Sequence, residues 1–582
     1  MALTTGTLEY MYTIGSVAAL VGMLVSLVLS RRDIAAALRD VKLTRKHLIM
    51  AGAILVMFAA IEGAMVKPTQ QIFFDDVIYQ GMAVDMIHMG QAWMCDYGTP
   101  TFCYSGEILH EPVGAPLNLA VAFLAFGVSQ ASAYGTEFFL SGVAVLMTFL
   151  SAALLLRNAR AALFSELFIA LSPMLLIWAR PTTSDMPMLT YSMVALFAVL
   201  VFAARRNVRT FSFALLSTAL LLYMKVDALA YLPLLAIFYL LVSDRSLKES
   251  LVKNWRRIYG NLLNTKALLV VLLFVLLITP EVNYTLNELN IGHYGVTGSY
   301  IQETCKAQPW PSVPATSSIS LANLRYNICD NILFWFNADS SQLMPQPLLF
   351  TAFAMLGLGL LVLYGKAREA ALLGVWFAAF FLLYTAFYAG GVDYGVDWRF
   401  MLSVLAPASI LAGAGAAYII EFAGDAMGTK GRGRRKPRRI ATALYTACVL
   451  ALVAYSFILA VPAISVNPSS VQQAGQARFY ENFVYSALPS IPHNCFVYTY
   501  DPTLFQINGF AAAQMTYLYN TGMYNKTQLT YGCNILDYGY WCGTPNNICS
   551  QIESMYNLSL ITNATYVPTS NNYALYRMTG IK

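Results

Sequence analysis

The sequence predicts a multi-pass α-helical membrane protein with about twelve transmembrane helices and a small extracytoplasmic α/β domain at its C-terminal end. Three observations predict it. The 582-residue chain is 58% hydrophobic, above the roughly 45–50% of soluble domains. Apolar runs recur at 8–30, 48–66, 136–156, 161–179, 187–204, 211–224, 229–244, 267–280, 348–364, 370–389, 401–420 and 440–462, several of them near the ~20 residues that cross hydrocarbon as a helix. After residue 462 the apolar runs stop, and short strand-like stretches such as CFVYTY (495–500) and YALYRM (573–578) take over.

The first run has no basic segment before it and no small-residue cleavage site after it, so it reads as a retained helix rather than a signal peptide. Lysine and arginine then set the topology. Segments 31–47, 157–160, 205–209, 245–266, 366–368 and 430–439 hold 26 of the 36 basic residues, and they fall in every second loop. By the positive-inside rule these loops are cytoplasmic, and the alternate loops, the N-terminus and the C-terminal domain are outside. The net charge of +6 is thereby explained without nucleic acid as a partner.

Two further signals agree with that orientation. Glycosylation sequons begin at Asn283, Asn525, Asn557 and Asn563, all in segments assigned to the outside. Eight of the nine cysteines are also outside: Cys95, Cys103, Cys305, Cys329, Cys495, Cys533, Cys542 and Cys549. An even external set points to disulfides in an oxidising compartment, with connectivity open and local pairs the simplest arrangement. None of the spacings makes a good zinc site.

These boundaries divide the chain into a first helix and basic loop (1–47), a transmembrane core (48–462) and an external domain (463–582). Two long external loops, 67–135 and 281–347, interrupt the core. Within the first, VIYQGMAVDMIHMG (77–90) has helical length, and PLNLAVAFLAFGV (116–128) is apolar but too short to span. The second is polar and rich in Asn and Ser, as a lid or substrate-binding loop would be.

Charge outside the membrane is concentrated at helix ends. IFFDDVIYQG (72–81) places Asp75 and Asp76 side by side after a span, and ILHEPVGAP (108–116) places His110 and Glu111 before a proline turn in the same loop. LSPMLLIWARPTTSDMPM (171–188) brings Arg180 and Asp185 to the same face, and VDYGVDWRFMLSVLAP (392–407) brings Asp397 and Arg399. An isolated Asp pair at a helix start is most simply a cap. Four acidic and basic motifs meeting one membrane boundary fit a lipid-linked phosphate better.

The order "span, FDD-x-x-Y, helix ending in Gly, H-E-P-x-G-x-P, short apolar helix" resembles the first external loop of the GT-C glycosyltransferases, especially protein O-mannosyltransferases and lipid A aminoarabinose transferases. The resemblance covers residues 48–245 and more weakly 370–420, and leaves out the C-terminal domain. Asp76 stands where Glu is usual, and Glu111-Pro112-Val113 where Pro-Pro or Lys-Pro-Pro is usual. The resemblance implies an enzyme that moves a sugar from a polyprenyl phosphate carrier to a protein, glycan or lipid acceptor. It implies Asp75 as general base, with Asp76 and Glu111 beside it, and Tyr79, His110, Asp185 and Asp397 in the substrate site. A guanidinium binds phosphate oxygens in a bidentate manner, which makes Arg399 the first candidate for the leaving phosphate, followed by Lys225 in LLYMKVDALAY and by Arg180. Asp76, Glu111 and His110 are candidates to orient the acceptor or to hold a divalent metal such as Mg or Mn; the sequence by itself establishes no cofactor. Glu62 and Glu166 lie inside apolar runs with no partner legible from sequence.

Two alternatives follow from other features. DYGYW (537–541) resembles part of the WWDYG motif of oligosaccharyltransferases, with Ile535 and Leu536 in place of its two tryptophans. A transporter would carry ionisable residues along several spans and internal repeats, whereas the external charges here are at helix ends and no repeat is visible.

Overall fold

The computed structural model describes residues 5–66, 75–107, 113–243, 265–291, 321–336, 348–387, 399–426, 435–466, 472–543, 548–568 and 570–582. Its helices are α1 (Thr5–Asp40), α2 (Arg45–Met65), α3 (Asp75–Met89), α4 (Gly114–Phe126), α5 (Gln130–Leu156), α6 (Ala159–Ala170), α7 (Pro173–Trp178), α8 (Asp185–Arg205), α9 (Val208–Leu222), α10 (Tyr231–Ser243), α11 (Thr265–Ile291), α12 (Leu321–Phe336), α13 (Leu348–Leu363), α14 (Ala367–Thr385), α15 (Leu402–Ala426), α16 (Arg435–Val466), α17 (Gln472–Ala487), α18 (Pro502–Gln506), α19 (Thr521–Tyr531) and α20 (Ile548–Met555). The strands are β1 (Met94–Thr99), β2 (Phe102–Glu107), β3 (Phe496–Thr499), β4 (Ala511–Gln514), β5 (Asn534–Tyr538), β6 (Tyr556–Tyr566) and β7 (Asn571–Ile581).

Among the described residues, eight helices are long and apolar enough to cross a membrane, fewer than the twelve expected runs. Three of the other runs are shorter apolar helices, at Val208–Leu222, Val226–Val242 and Leu348–Leu363. The run 161–179 is not one span. It breaks into α6 and α7 at Pro173, the first residue of α7, where proline's missing N–H costs nothing and its fixed φ starts a new helix. The short apolar helix expected at 116–128 forms as α4, whose 13 residues are too few to span a bilayer.

Two helical hairpins are closed by the same device. Arg157 and Arg206 take left-handed backbone conformations at the ends of α5 and α8. The next residue in each case, Asn158 or Asn207, caps the following helix by accepting backbone N–H bonds from Arg160 and Ala161, or from Thr210. The basic connections gather at this end of the bundle. Arg205 pairs with Asp40 at 2.8 Å, Asn207 with Asp33 at 2.9 Å and Asn158 with Glu421 at 3.0 Å. A helix the length of α5 spans about 40 Å, so its first residue, Gln130, lies at the opposite end.

α8 and α15 are the innermost spans, their apolar windows 94% and 100% buried. α15 achieves this with the small-residue stretch Gly413-Ala414-Gly415. A Cβ on Gly415 would collide with the carbonyl of Phe353 in α13, and one on Gly413 would collide with Ser165 in α6, so backbones approach closely on two sides. Both helices start at the end away from the basic connections. The residues at their starts are Asp185 and, just ahead of α15, Arg399.

A seven-stranded sheet in the order β2-β1-β4-β3-β5-β7-β6 packs on that end. β3 runs parallel to β4 and β5, and the other pairings are antiparallel. Two of the strands come from the first long loop, not from 463–582: β1 pairs with β4 through Tyr97↔Ala513 and Gly98↔Ala512, and Asp96 accepts a bond from Gln514 Nε2 at 2.9 Å. The loop and the C-terminal segment therefore share one sheet. The sheet's hydrophobic core is separate from that of the helices, and α3 touches both: Val77 is buried in the sheet core, Tyr79, Met82 and Ala83 in the helical core.

Disulfides join Cys95–Cys103, Cys495–Cys533 and Cys542–Cys549, the local pairs the spacing suggested. Cys329 is also oxidised; Cys305 lies outside the described residues. Cys448 is free and exposed on α16. The sequon residues Asn283, Asn525, Asn557 and Asn563 are all exposed, the last two on the edge strand β6.

Candidate functional site

The sequence motifs meet where α3, α4, α8 and α15 begin. α3 opens on Asp75-Asp76. The side chain of Asp75 lies outside the described atoms, as do His110, Glu111 and Asp397, while Asp76 is fully buried. The segment RPTTSD, 180–185, reaches this turn directly: Thr182 Oγ1 donates to the backbone carbonyl of Asp76 in a short hydrogen bond. Three residues later Asp185 starts α8.

Asp185 collects two cations. Its Oδ1 is 2.6 Å from Lys225 Nζ and its Oδ2 is 3.4 Å from Arg399 Nε. Lys225 also lies 3.9 Å from Asp227 Oδ2, whose carboxylate accepts from the Tyr384 hydroxyl. The ring of Phe400 completes the group, with the Lys225 ammonium 4.2 Å and the Arg399 guanidinium 5.1 Å from its centroid, and Tyr384 stacked on it at 5.4 Å. Lys225 and Asp185 are both buried. Pairing at hydrogen-bond distance, together with an aromatic face, offsets part of the cost of taking such charges out of water.

The motif before α4 is carried to the same place. Gly114 N–H donates to the carbonyl of Tyr223, 2.8 Å away and two residues before Lys225. A Cβ at this position would lie 2.5 Å from that carbonyl oxygen, so the close approach requires glycine. His110 and Glu111 precede Gly114 in the sequence and lie outside the described residues.

Glu137, at the start of α5, is buried within electrostatic reach of Asp76 and Asp185; sequence reasoning missed it. Its one signal is a Glu at the edge of the apolar run 136–156. Arg180 faces elsewhere. Its Nε lies 2.9 Å from Glu62 Oε1 and its guanidinium packs on Phe138 at 5.1 Å, so Glu62 gains the partner that the sequence did not reveal. Tyr79 is buried in the helical core. Glu166 is also buried, and among the described residues neither of its carboxylate oxygens has a hydrogen-bond partner.

Among the described residues, one group has metal-like spacing: the Asp85 carboxylate and the sulfurs of Cys95 and Cys103 lie within 4.8 Å of one another. Both sulfurs are tied in a disulfide, which leaves Asp85 as the single ligand. Burial pushes the Asp85 carboxyl up to about 7.

The DYG segment at 537–539 forms an internal cluster. Asp537 Oδ2 accepts from Tyr480 at 2.6 Å and from Thr499 at 2.7 Å, and the carboxylate is fully buried. Burial raises both Asp537 and nearby Asp501 to about 7. A folded-state pKa above the ordinary value of 3.8 adds stability that is complete below about pH 4 and is lost as pH rises through 7. Protection factors at the β3 and β5 amides of the intact protein, corrected for the base catalysis of exchange, are therefore expected to fall between about pH 4 and 7. The Asp537→Asn variant, which keeps an acceptor for both hydroxyls, should show a flatter pH dependence.

The model of the family described as dolichyl-phosphate-mannose-protein mannosyltransferase matches residues 110–284. A comparison with curated protein sequences finds no match. Among solved structures, ArnT from Cupriavidus metallidurans in the apo state aligns with a TM-score of 0.53 at 12% identity, over 91% of this chain and 97% of that one. ArnT bound to undecaprenyl phosphate aligns at 0.53 and 13% identity, over 92% and 98%. The Archaeoglobus fulgidus oligosaccharyltransferase in the apo form aligns at 0.51 and 11% identity, over 91% and 74%. At these identities the likeness is one of fold, and the fold is that of the GT-C glycosyltransferases.

Proposed function

We propose that this chain, built on the GT-C fold, is a glycosyltransferase that moves a sugar from a polyprenyl phosphate to an acceptor hydroxyl on the extracytoplasmic side of the membrane. The observation that carries the reading is the convergence of four separate motifs on one end of the bundle, acidic at the start of α3 and cationic at Lys225 and Arg399. The positive-inside rule assigns the opposite, Lys/Arg-rich end to the cytoplasm, which leaves the site and the sheet outside.

In the proposed reaction the acceptor oxygen attacks the anomeric carbon and Asp75 takes its proton. The bond from that carbon to the phosphate oxygen breaks, the oxygen keeps the electron pair, and polyprenyl phosphate leaves. Direct displacement inverts the anomeric configuration. Lys225 and Arg399 stabilise the charge that grows on the leaving phosphate, and Asp185 holds both side chains in place. Asp76 and Glu137 keep the acceptor side acidic. A divalent cation, if bound, would be held by Asp76 and Glu111 and would help neutralise the phosphate charge.

The oligosaccharyltransferase alternative loses support from the sheet domain. Asp537 is buried and bonded to Tyr480 and Thr499, so its carboxylate is committed inside the domain. Mass spectrometry of surface glycoproteins and glycolipids from cells lacking this protein tests the reading. Loss of one sugar from one class of acceptor supports it and identifies both. Loss of an entire glycan from Asn sequons supports the alternative, and an unchanged profile contradicts both.

A further inference from the structure

We propose that the sheet domain is a positioning element for the catalytic turn, acting through a polar relay that runs from Tyr485 through Gln130 and Gln80 to Thr182. The inference rests on the reading of the first turn of α3 as catalytic, and it adds residues to which that reading assigns no part.

The relay can be followed bond by bond. Gln80 Nε2 lies 3.1 Å from the Asp76 carbonyl, 3.3 Å from Thr182 Oγ1 and 3.1 Å from Gln130 Oε1. Thr182 closes a small ring by donating to the same Asp76 carbonyl. Gln130, the first residue of α5, then donates from Nε2 to the Tyr485 hydroxyl at 2.6 Å. One turn further along both helices the Tyr134 hydroxyl donates to Glu481 Oε1 at 3.0 Å. Residues i and i+4 of α5 thus grip residues i and i+4 of α17 in antiparallel order, a two-point clamp rather than a chance contact. Gln80, Thr182, Tyr134 and Glu481 are all buried, where an unmatched polar group is costly.

A second contact acts on the same helix from the other side. A Cβ on Gly81 would collide with the Thr503 methyl of α18, so the α3 backbone is pressed against the sheet domain just one residue after Gln80. The β1–β2 hairpin that follows α3 is part of the sheet. The turn carrying Asp75 and Asp76 is therefore located by the sheet domain as much as by the membrane helices. None of these bonds touches Lys225 or Arg399, so the relay acts on the acceptor side of the site and leaves the donor cations in place.

The test uses the full chain in nanodiscs with the Tyr485→Phe, Gln80→Leu, Thr182→Val and Thr182→Ser variants. We expect kcat for transfer to fall about tenfold in Gln80→Leu and Thr182→Val with the donor KM unchanged. Thr182→Ser, which keeps the hydroxyl, should recover most of the loss. In Tyr485→Phe, hydrogen exchange at amides 77–82 should accelerate although the substitution lies on another helix. A raised donor KM at constant kcat, or unchanged exchange at 77–82 in Tyr485→Phe, overturns the relay. The exchange readout needs no turnover. If Asp75→Asn retains activity while Tyr485→Phe still loosens α3, the assignment of the base fails and the relay stands.

Discussion

Asp75→Asn is expected to lower kcat for sugar transfer by about 10²–10⁴-fold without changing expression, membrane insertion or the donor KM. The substitution is chosen because Asn keeps the shape and an acceptor oxygen of Asp, and at the first residue of α3 it loses only a helix-dipole interaction of about 0.3–1 kcal/mol. A residue that only capped the helix would tolerate the change, whereas a residue that takes a proton would not. Steady-state kinetics with separate donor and acceptor titrations checks this. Full activity in the variant would remove Asp75 as the base and turn attention to Asp76, whose backbone the Thr182 bond holds.

The second large effect is expected at Lys225. Lys225→Met removes the ammonium 2.6 Å from Asp185 and should lower kcat/KM for the donor by about 10–100-fold, the worth of a charged hydrogen bond to a phosphate whose charge grows in the transition state. It should also lower thermal stability, since losing one partner of a buried pair costs about 3–5 kcal/mol; Arg399, at 3.4 Å on the other carboxylate oxygen, softens that loss. Adding Asp185→Asn separates the two effects. The double variant should regain stability because no buried carboxylate is left with one cation, and it should not regain kcat/KM for the donor. A double variant that recovers donor use would make Lys225 a structural partner of Asp185 and leave phosphate recognition to Arg399.

The parts of this fold that were legible in the sequence are those with local signatures. Apolar runs mark spans, lysine and arginine mark alternate loops, and the motifs around Asp75, Glu111, Asp185 and Arg399 stand out because charge is scarce. The break between α6 and α7 was missed because one apolar run crosses it, although Pro173 at the start of a helix is a known signal. What the sequence concealed is non-local. The pairing of Arg180 with Glu62 joins residues 118 positions apart, and that of Gln514 with Asp96 joins residues 418 apart. Strands β1 and β2 fall in what the sequence shows only as the first long external loop, because the second partner of β1, β4, lies beyond the whole membrane core. Glu137 and Gln80 share a similar reason: a single polar residue in an apolar or helical stretch acquires meaning only from the helices that later surround it.

The central claim is that this chain breaks the bond between a sugar and a polyprenyl phosphate. It is tested most directly by reconstituting the purified protein in lipid vesicles with a polyprenyl phosphate donor radiolabelled in the sugar, and following lipid and acceptor together. The account predicts that free polyprenyl phosphate and labelled acceptor appear in equal amounts with inverted anomeric configuration, and that both vanish in Asp75→Asn. A donor that is bound or moved across the membrane with its sugar–phosphate bond intact would contradict it.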